Sequence, residues 1–147
     1  MLIRTWEEKD NLQVAKLEEQ CFSFPWDYEM VSDTQSSPSF YGVVAEENQE
    51  VIGYAGAVFC VDQADIALVA VSPLHRRKKI AESMLNELIG ALFNKGVNNF
   101  FLEVRITNHG ARALYEKLGF KIIGIRKNYY EDAEDAIVMS KVIFVDE

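Results

Sequence analysis

Hydrophobic and polar residues follow two spacings along this chain, one typical of amphipathic helices and one typical of β-strands. Helical spacing is found first at Val14, Leu17 and Cys21, and then over a longer stretch at Ile80, Met84, Leu85, Leu88, Ile89 and Leu92. A further short helix is predicted over residues 27–34. Apolar runs bounded by turn residues predict strands at residues 2–5, 40–46, 51–60, 66–71, 100–105, 121–126 and 136–145. The resulting order, β-α-α-β-β-β-α-β-α-β-β, indicates a mixed α/β (α+β) sheet with helices on its faces.

Residues 100–120 form the most informative segment, because they combine a strand, a short loop and a helix. Glu103 alone interrupts the strand, whose other members predict burial on both faces: Phe100, Phe101, Leu102 and Val104. Asn108 is a residue type that caps helix starts, and Gly119 is one that ends helices. Tyr115 falls on the apolar face of this helix, together with Ala111, Leu114 and Leu118. A lone carboxylate and a tyrosine on the buried face are therefore candidate functional groups.

Glu103 has two interpretations at this point. Desolvation between Leu102 and Val104 would raise the pKa of its carboxyl, which would make it a useful general base near neutral pH. Alternatively, Glu103 forms an ion pair with Arg105, Arg112 or another cation, and periodicity alone favours this ion pair. For Tyr115, periodicity alone favours an ordinary core tyrosine with a hydrogen-bonded hydroxyl.

Composition limits the class of protein. The chain has 147 residues, of which 49% are hydrophobic and 26% charged, as expected for one soluble domain over residues 1–147. No apolar run reaches the roughly 18 residues that a membrane helix needs, and the acidic start differs from a secretory signal. Cys21 and Cys60 are too few for a disulfide framework, so we expect reduced core residues in a cytoplasmic protein. The formal net charge of −8 disfavours nucleic-acid and anionic-membrane binding and favours a basic partner.

A basic cluster, HRRKK at residues 75–79, lies between a predicted buried strand and the long amphipathic helix. Unpaired amides at a helix start attract anions, so this cluster predicts a site for a phosphate-bearing ligand. The alternative is a solvated run of charges, and a nucleic-acid patch is disfavoured because no aromatic residue interrupts the cluster. His75 and His109 are far apart and lack ligand spacing, so no metal site is predicted.

An aromatic stretch, FSFPW at residues 22–26, follows the first helix, which Pro25 helps to end. Two interpretations are open for it. The stretch either packs into the core, which the general burial of aromatic residues favours, or lines a groove.

Several segments together resemble the GNAT N-acetyltransferase superfamily, and within it the RimI-type N-alpha-acetyltransferases, which modify the N-terminal alanine of a small-subunit ribosomal protein. The segments are FPW (24–26), VAVSP (69–73), RRKKIA (76–81), LEVRITN (102–108), ALYEKLGF (113–120), RKNYY (126–130) and EDAIVM (134–139). They occur in family order over nearly the whole chain. The combination of LEVRxxN with AxxLYExLGF is specific, whereas the basic loop alone is a weak signal.

The resemblance implies acetyl-CoA as the acyl donor and no metal. It also implies a mostly antiparallel sheet of about seven strands, in which the parallel strands 66–71 and 100–105 splay apart to admit the pantetheine. The residues implied in cofactor binding are Val69, Ala70 and Val71 on the strand, Arg76, Arg77, Lys78, Lys79, Ile80 and Ala81 around the pyrophosphate, and Asn108. Glu103 matches the general base of the family and Tyr115 its general acid. The positions that match the acceptor groove are Phe24, Trp26, Tyr129 and Tyr130.

One position departs from the family pattern. The loop usually reads Q/R-x-x-G-x-G/A, but its first glycine is Lys79 here and its second is Ala81. Glycine allows the backbone to approach phosphate closely, so Lys79 either contacts the phosphate itself or crowds the loop. Two further functions stay open: a non-catalytic domain that binds CoA or a partner, and an acetyltransferase for small amines or polyamines. We expect a protein or peptide acceptor, and a monomer or weak homodimer.

Overall fold

The computed structural model describes residues 1–76 and 79–144. Arg77 and Lys78 of the predicted phosphate loop, and the end of the last predicted strand at Val145, lie outside these residues. The strands are β1 (Leu2–Thr5), β2 (Phe40–Glu47), β3 (Glu50–Cys60), β4 (Gln63–Val71), β5 (Asn99–Arg105), β6 (Lys121–Arg126) and β7 (Ala136–Val142). The helices are α1 (Asn11–Cys21), α2 (Tyr28–Gln35), α3 (Ile80–Asn94) and α4 (His109–Lys117). The predicted order of elements is confirmed.

The strands form one sheet in the order β1-β2-β3-β4-β5-β7-β6. Neighbouring strands are antiparallel throughout, except for the central pair β4 and β5, which are parallel. The helix α3 connects these two strands, as parallel neighbours require a crossover. The predicted mixed sheet with a parallel central pair is therefore confirmed.

Helices cover both faces of the sheet, so the sheet lies between two hydrophobic clusters. One cluster contains the apolar faces of α3 and α4, and the other contains those of α1 and α2. The largest contribution comes from α3, which buries six side chains, each stabilising the fold by about 1.5–3 kcal/mol: Ile80, Met84, Leu85, Leu88, Ile89 and Leu92. This packing holds the start of α3 firmly at the end of β4.

The two parallel strands separate after a short paired segment. Their ladder joins Gln63–Asp65 of β4 to Asn99–Phe101 of β5, although both strands continue beyond it. On the other side of β4, Leu68 lies opposite Gly56 and Ile66 lies opposite Ala57, so Ala67 is an extra residue in β4. Such a bulge bends a strand and increases its twist, which accounts for the separation. The opening that results lies between residues 66–71 and residues 102–105.

The prediction that β5 is buried on both faces is wrong. Phe100, Leu102 and Val104 are buried, but Phe101, Glu103 and Arg105 on the alternate face are only partly covered. Separation from β4 removes one neighbour from this face, so its side chains border the opening instead of a packed layer.

The expectation for the cysteines holds only in part. Both are free, but Cys60 at the end of β3 is exposed, and Cys21 at the end of α1 is half-buried. Cys60 is the last residue of β3 and pairs with Gln63 at the turn into β4, at the end of the hairpin.

Candidate active site

The edge of β4 that faces β5 presents backbone groups to the opening. The Ser72 N–H donates a hydrogen bond to the Ile52 carbonyl of β3 at 2.7 Å, so Ser72 and, by alternation, Ala70 face β3. The amide and carbonyl groups of Val69 and Val71 therefore point toward the opening. An extended ligand can add to such an edge as a further strand. Of the three strand residues predicted to bind the cofactor, Val69 and Val71 are oriented for backbone pairing.

The start of α3 has the features of an anion site. Ile80 and Ala81 are the first helical residues, and amides in a first turn have no intrahelical acceptor. Arg76 lies beside them, where its Nε donates to the last carbonyl of β4 at 3.2 Å. An acidic residue in the same turn, Glu82, is paired with Lys117 of α4 at 3.1 Å, which offsets its negative charge. Positive charge and free amides thus meet at the same end of the opening.

Lys79, at the first glycine position of the loop, is the N-cap of α3 and adopts φ +59° and ψ +24°. This is the left-handed region, where glycine is unstrained and a residue with a Cβ is disfavoured. The Lys79 side chain is exposed, so it does not fill the backbone approach to the helix start. The conformation explains why family members carry glycine here.

Replacing Lys79 by glycine should raise the free energy of unfolding by up to about 1 kcal/mol, because relief of the left-handed strain exceeds the entropy that glycine adds to the unfolded chain. Urea denaturation measures this change. Lys79→Ala is the matched control, since it removes the ammonium but keeps the Cβ in the strained conformation. Equal stability gains in both variants would show that the charge, and not the backbone strain, is responsible.

Glu103 extends from the partly covered face of β5. Its side chain is 28% exposed, and its Oε1 lies 3.6 Å from Arg126 Nε of β6. The carboxyl is therefore only partly desolvated, because it lies on the partly covered face of β5. The alternative prediction of an ion pair is confirmed, with Arg126 as the partner.

Tyr115 approaches the opening from the other side of the sheet. It packs in the same hydrophobic cluster as Phe100, Leu102 and Val104, and its ring lies edge-on to Phe120 at 6.0 Å. Burial, with a smaller effect from the nearby Tyr130 hydroxyl, raises the pKa of Tyr115 to about 12.

The Tyr115 hydroxyl forms no hydrogen bond within the described residues. The described side-chain atoms that are both sealed from solvent and unpartnered are His75 Nδ1 and Asn99 Oδ1, and the Tyr115 hydroxyl is not among them. Its raised pKa keeps it protonated, and it can therefore donate a hydrogen bond to a ligand at neutral pH.

Tyr130 interacts electrostatically with both Glu103 and Tyr115. Burial raises its pKa to about 12, Arg105 opposes that rise, and the charge of Glu103 adds to it. The Tyr130 hydroxyl in turn contributes to the raised pKa of Tyr115. Tyr130 is thus close enough to interact electrostatically with both Glu103 and Tyr115, although the three residues come from β5, α4 and the loop after β6.

Arg105 holds that loop, which we call the β6–β7 loop (residues 127–135). Its Nη1 donates to the Asp132 carboxylate at 2.8 and 2.9 Å and to Glu134 Oε1 at 3.0 Å. Its guanidinium lies 4.1 Å from the centroid of the Tyr130 ring. The other Glu134 oxygen accepts hydrogen bonds from Thr107. Sequence inspection missed this role of Arg105, because its partners are at least 25 residues away along the chain.

The aromatic loop (residues 22–26) does not pack into the core as favoured above. Phe22 and Phe24 are 43% and 48% exposed, and only Trp26 packs partly against the cluster of α1 and α2. The loop is fixed by Glu18, a buried carboxylate that sequence inspection also missed. Glu18 Oε1 accepts from the Trp26 N–H at 3.0 Å, and its Oε2 accepts from the Tyr54 hydroxyl.

A cavity of about 320 Å³ lies between the aromatic loop and the β6–β7 loop. Its lining residues are Ser23, Phe24, Pro25, Trp26, Met30 and Glu131. Tyr129, on the same loop as Glu131, is 47% exposed, and its ring lies edge-on to Tyr130 at 5.1 Å. The four predicted acceptor residues therefore belong to two loops that the fold brings together.

Asn108 is the N-cap of α4, as predicted. Its Oδ1 accepts from the Ala111 N–H at 3.2 Å, which leaves the two protons of its side-chain amide for a ligand. Gly119 follows the C-cap of α4 and adopts φ +97°. Both predicted signals for the ends of this helix are therefore confirmed.

Known proteins of one family are similar to this chain in sequence and in this arrangement. The sequence profile of the Acetyltransferase (GNAT) family matches residues 11–120. Two relatives are the ribosomal protein bS18-alanine N-acetyltransferases of Escherichia coli strain K12 and Haemophilus influenzae. The first is 32% identical over 141 residues, covering 94% of this chain and 95% of the relative. The second is 33% identical over 143 residues, covering 95% and 97%.

The same similarity holds in three dimensions. The crystal structure of the ribosomal-protein-S18-alanine N-acetyltransferase from Escherichia coli superposes with a TM-score of 0.92 at 32% identity, over 99% of this chain and 96% of that one. The predicted GNAT fold is therefore confirmed. The chain belongs to the acetyltransferase (GNAT) family and is an N-acetyltransferase that resembles the RimI type.

Proposed function

We propose that this protein transfers the acetyl group of acetyl-CoA to the N-terminal α-amine of a protein, with the N-terminal alanine of a small-subunit ribosomal protein as acceptor. The observation that carries the proposal is the opening between β4 and β5, with Glu103 on one side and Tyr115 on the other. The acceptor follows from the activity named for relatives that match more than nine-tenths of the chain. Residues 1–147 act as one domain, and the reaction is cytoplasmic.

The described residues fit acetyl-CoA along this opening. The backbone of Val69 and the amide of Val71 suit the amides of a pantetheine arm, whereas the Val71 carbonyl already accepts from Arg76 Nε. The free amides of Ile80 and Ala81, with Arg76 nearby, suit a pyrophosphate. The free side-chain amide protons of Asn108 suit a carbonyl of the same ligand. Bound acetyl-CoA supplies the thioester that is attacked.

Glu103 acts as the general base in this proposal. A peptide α-amine has a reference pKa of about 7.7–8.0, so much of it is protonated at neutral pH and cannot attack a carbonyl. The partly exposed Glu103 carboxylate accepts that proton directly or through a water molecule. Backbone N–H groups on the open edge of β4 are suited to stabilise the negative charge that develops on the carbonyl oxygen.

Tyr115 acts as the general acid. The leaving group is a thiolate, and a reference thiol has a pKa of about 8.5, well below the pKa of about 12 at Tyr115. Complete proton transfer from Tyr115 to the sulfur is therefore uphill even after the carbon–sulfur bond has broken. The hydroxyl instead stabilises the departing thiolate by a charge-assisted hydrogen bond, and any proton that it passes to the sulfur is regained from solvent.

Titration calorimetry with acetyl-CoA, combined with a thiol-release assay on a peptide that begins with alanine, tests this proposal. We expect saturable binding and release of CoA thiol only when the peptide is present. Binding without thiol release across a panel of α-amine peptides would contradict the proposed acceptor class. Failure to bind acetyl-CoA would favour a non-catalytic domain.

A further inference from the structure

The carboxylates of the β6–β7 loop differ in how their charges are neutralised. Asp132 and Glu134 bind Arg105, and Asp135 lies 3.4 Å from Lys127 and accepts from the Asn128 N–H. Glu131 forms neither an ion pair nor a hydrogen bond within the described residues. It is also the one of these carboxylates that lines the cavity between the two loops. The cavity therefore contains a negative charge that the described part of the protein does not neutralise.

Apart from Glu131 and Ser23, the side chains that line this cavity are apolar, and two of them are aromatic rings. Phe24 and Met30 are 48% and 47% exposed, so both offer apolar surface to a ligand in the cavity. Aromatic faces and thioethers attract cations and the alkyl stems of long basic side chains. A lysine or arginine side chain matches both parts of the wall, with its stem on the rings and its charge at Glu131.

Other occupants fit less well. An acidic side chain would be repelled by Glu131, and an apolar one would desolvate that carboxylate without pairing it. The volume of about 320 Å³ lies at the lower end of the range for ligand pockets, so it suits part of a ligand.

The wall is fixed before any ligand arrives. Glu18 holds the backbone of Trp26, and Asp27 caps α2 by accepting from the Met30 N–H at 2.9 Å. Glu131 directly follows Tyr130, whose pKa responds to the charge of Glu103. The cavity thus adjoins the place where the acceptor amine must lie.

We infer that the cavity between the aromatic loop and the β6–β7 loop is a specificity subsite for a basic side chain of the acceptor, close behind the residue that is acetylated. This inference rests on the proposed function, because it requires a peptide acceptor. The net charge of −8 supports this inference, because it favours basic acceptors over the whole surface. Glu131 would confine the preference for a basic side chain to one position of the acceptor.

The test uses peptides that begin with alanine and carry a single lysine at the second, third, fourth or fifth position among neutral residues. Norleucine replaces that lysine in the comparison set, because it keeps the stem and removes the ammonium. At one position we expect lysine to give a kcat/KM about fivefold to tenfold above norleucine, as a partly exposed charge pair allows. The Glu131→Gln variant should reduce this ratio to below about twofold, with an unchanged Kd for acetyl-CoA.

Glu87→Gln is the matched control, because it removes one exposed carboxylate from α3 and changes the net charge equally. It should keep the wild-type preference for lysine. Glu131→Lys adds a second test: it should disfavour lysine and favour a glutamate at the same peptide position.

The outcomes separate the two proposals. If the wild-type protein acetylates the peptides with no preference for lysine, or if Glu131→Gln keeps the preference, the subsite assignment is wrong and the proposed function stands. If the wild-type protein acetylates none of the peptides, the proposed function is wrong and the subsite assignment with it.

Discussion

Replacing Glu103 by glutamine should lower kcat for an alanine-terminated peptide by about 100-fold or more at neutral pH, the range for loss of a general base. Glutamine has nearly the same shape but cannot accept the ammonium proton. The Kd for acetyl-CoA should stay within about twofold, because the acyl donor pairs with β4 and the start of α3. Stability should change by less than about 1 kcal/mol, since Arg126, the ion-pair partner of Glu103, is 59% exposed.

The pH dependence of this variant provides an internal check. As pH rises past the amine pKa of about 7.7–8.0, more acceptor arrives deprotonated, so the deficit of Glu103→Gln should shrink. Glu116→Gln, which removes an exposed carboxylate from α4, is the control for the change in net charge. Normal turnover by Glu103→Gln at neutral pH would exclude Glu103 as the base.

Replacing Tyr115 by phenylalanine should lower kcat by about 10- to 100-fold, the value of a charge-assisted hydrogen bond to the leaving sulfur. The ring should still pack against Phe120, and no hydrogen bond within the described residues is lost, so the fold should remain stable. Because the pKa of Tyr115 is about 12, its hydroxyl stays protonated from about pH 6 to pH 9. The deficit should therefore be nearly constant over that range, unlike the deficit of Glu103→Gln.

Tyr41→Phe is a suitable control for the loss of a tyrosine hydroxyl. Tyr41 lies on β2, where its hydroxyl is 3.3 Å from Thr5 Oγ1, at the other end of the sheet order. Its removal should leave kcat unchanged. A loss in Tyr115→Phe that is confined to the Kd for acetyl-CoA would show that Tyr115 positions the donor and does not assist the leaving group.

Local signals predicted the framework of this site well. Asn108 and Gly119 bound the α4 region because capping and left-handed turns depend on a few neighbouring residues. The helical spacing of α3 and the apolar run of β4 likewise depend on nearby sequence. Such features predicted the order of elements and the sheet class.

Features set by distant residues were not predictable in this way. An ion pair of Glu103 was predicted, but its partner Arg126 was not, because β6 and β5 both pair with β7 in a register that no local pattern specifies. The exposure of one face of β5 depends on the bulge at Ala67, which separates β4 from β5.

The acceptor side of the site was the hardest part to predict. The cavity joins residues 23–30 to Glu131, about a hundred positions later in the chain. Glu18 and Tyr54 lie 36 residues apart, and their contact is what turns an aromatic stretch into a fixed wall. Neither residue stands out by type or spacing.

The central claim is transfer to an N-terminal α-amine, and mass-spectrometric localisation of the acetyl group tests it most directly. The substrate should carry both an N-terminal alanine and an internal lysine, so that two kinds of amine compete within one molecule. We predict acetylation of the α-amine alone, with one CoA thiol released for each acetyl group transferred. Acetyl groups on the lysine side chain, or on small amines while the α-amine stays free, would contradict the claim.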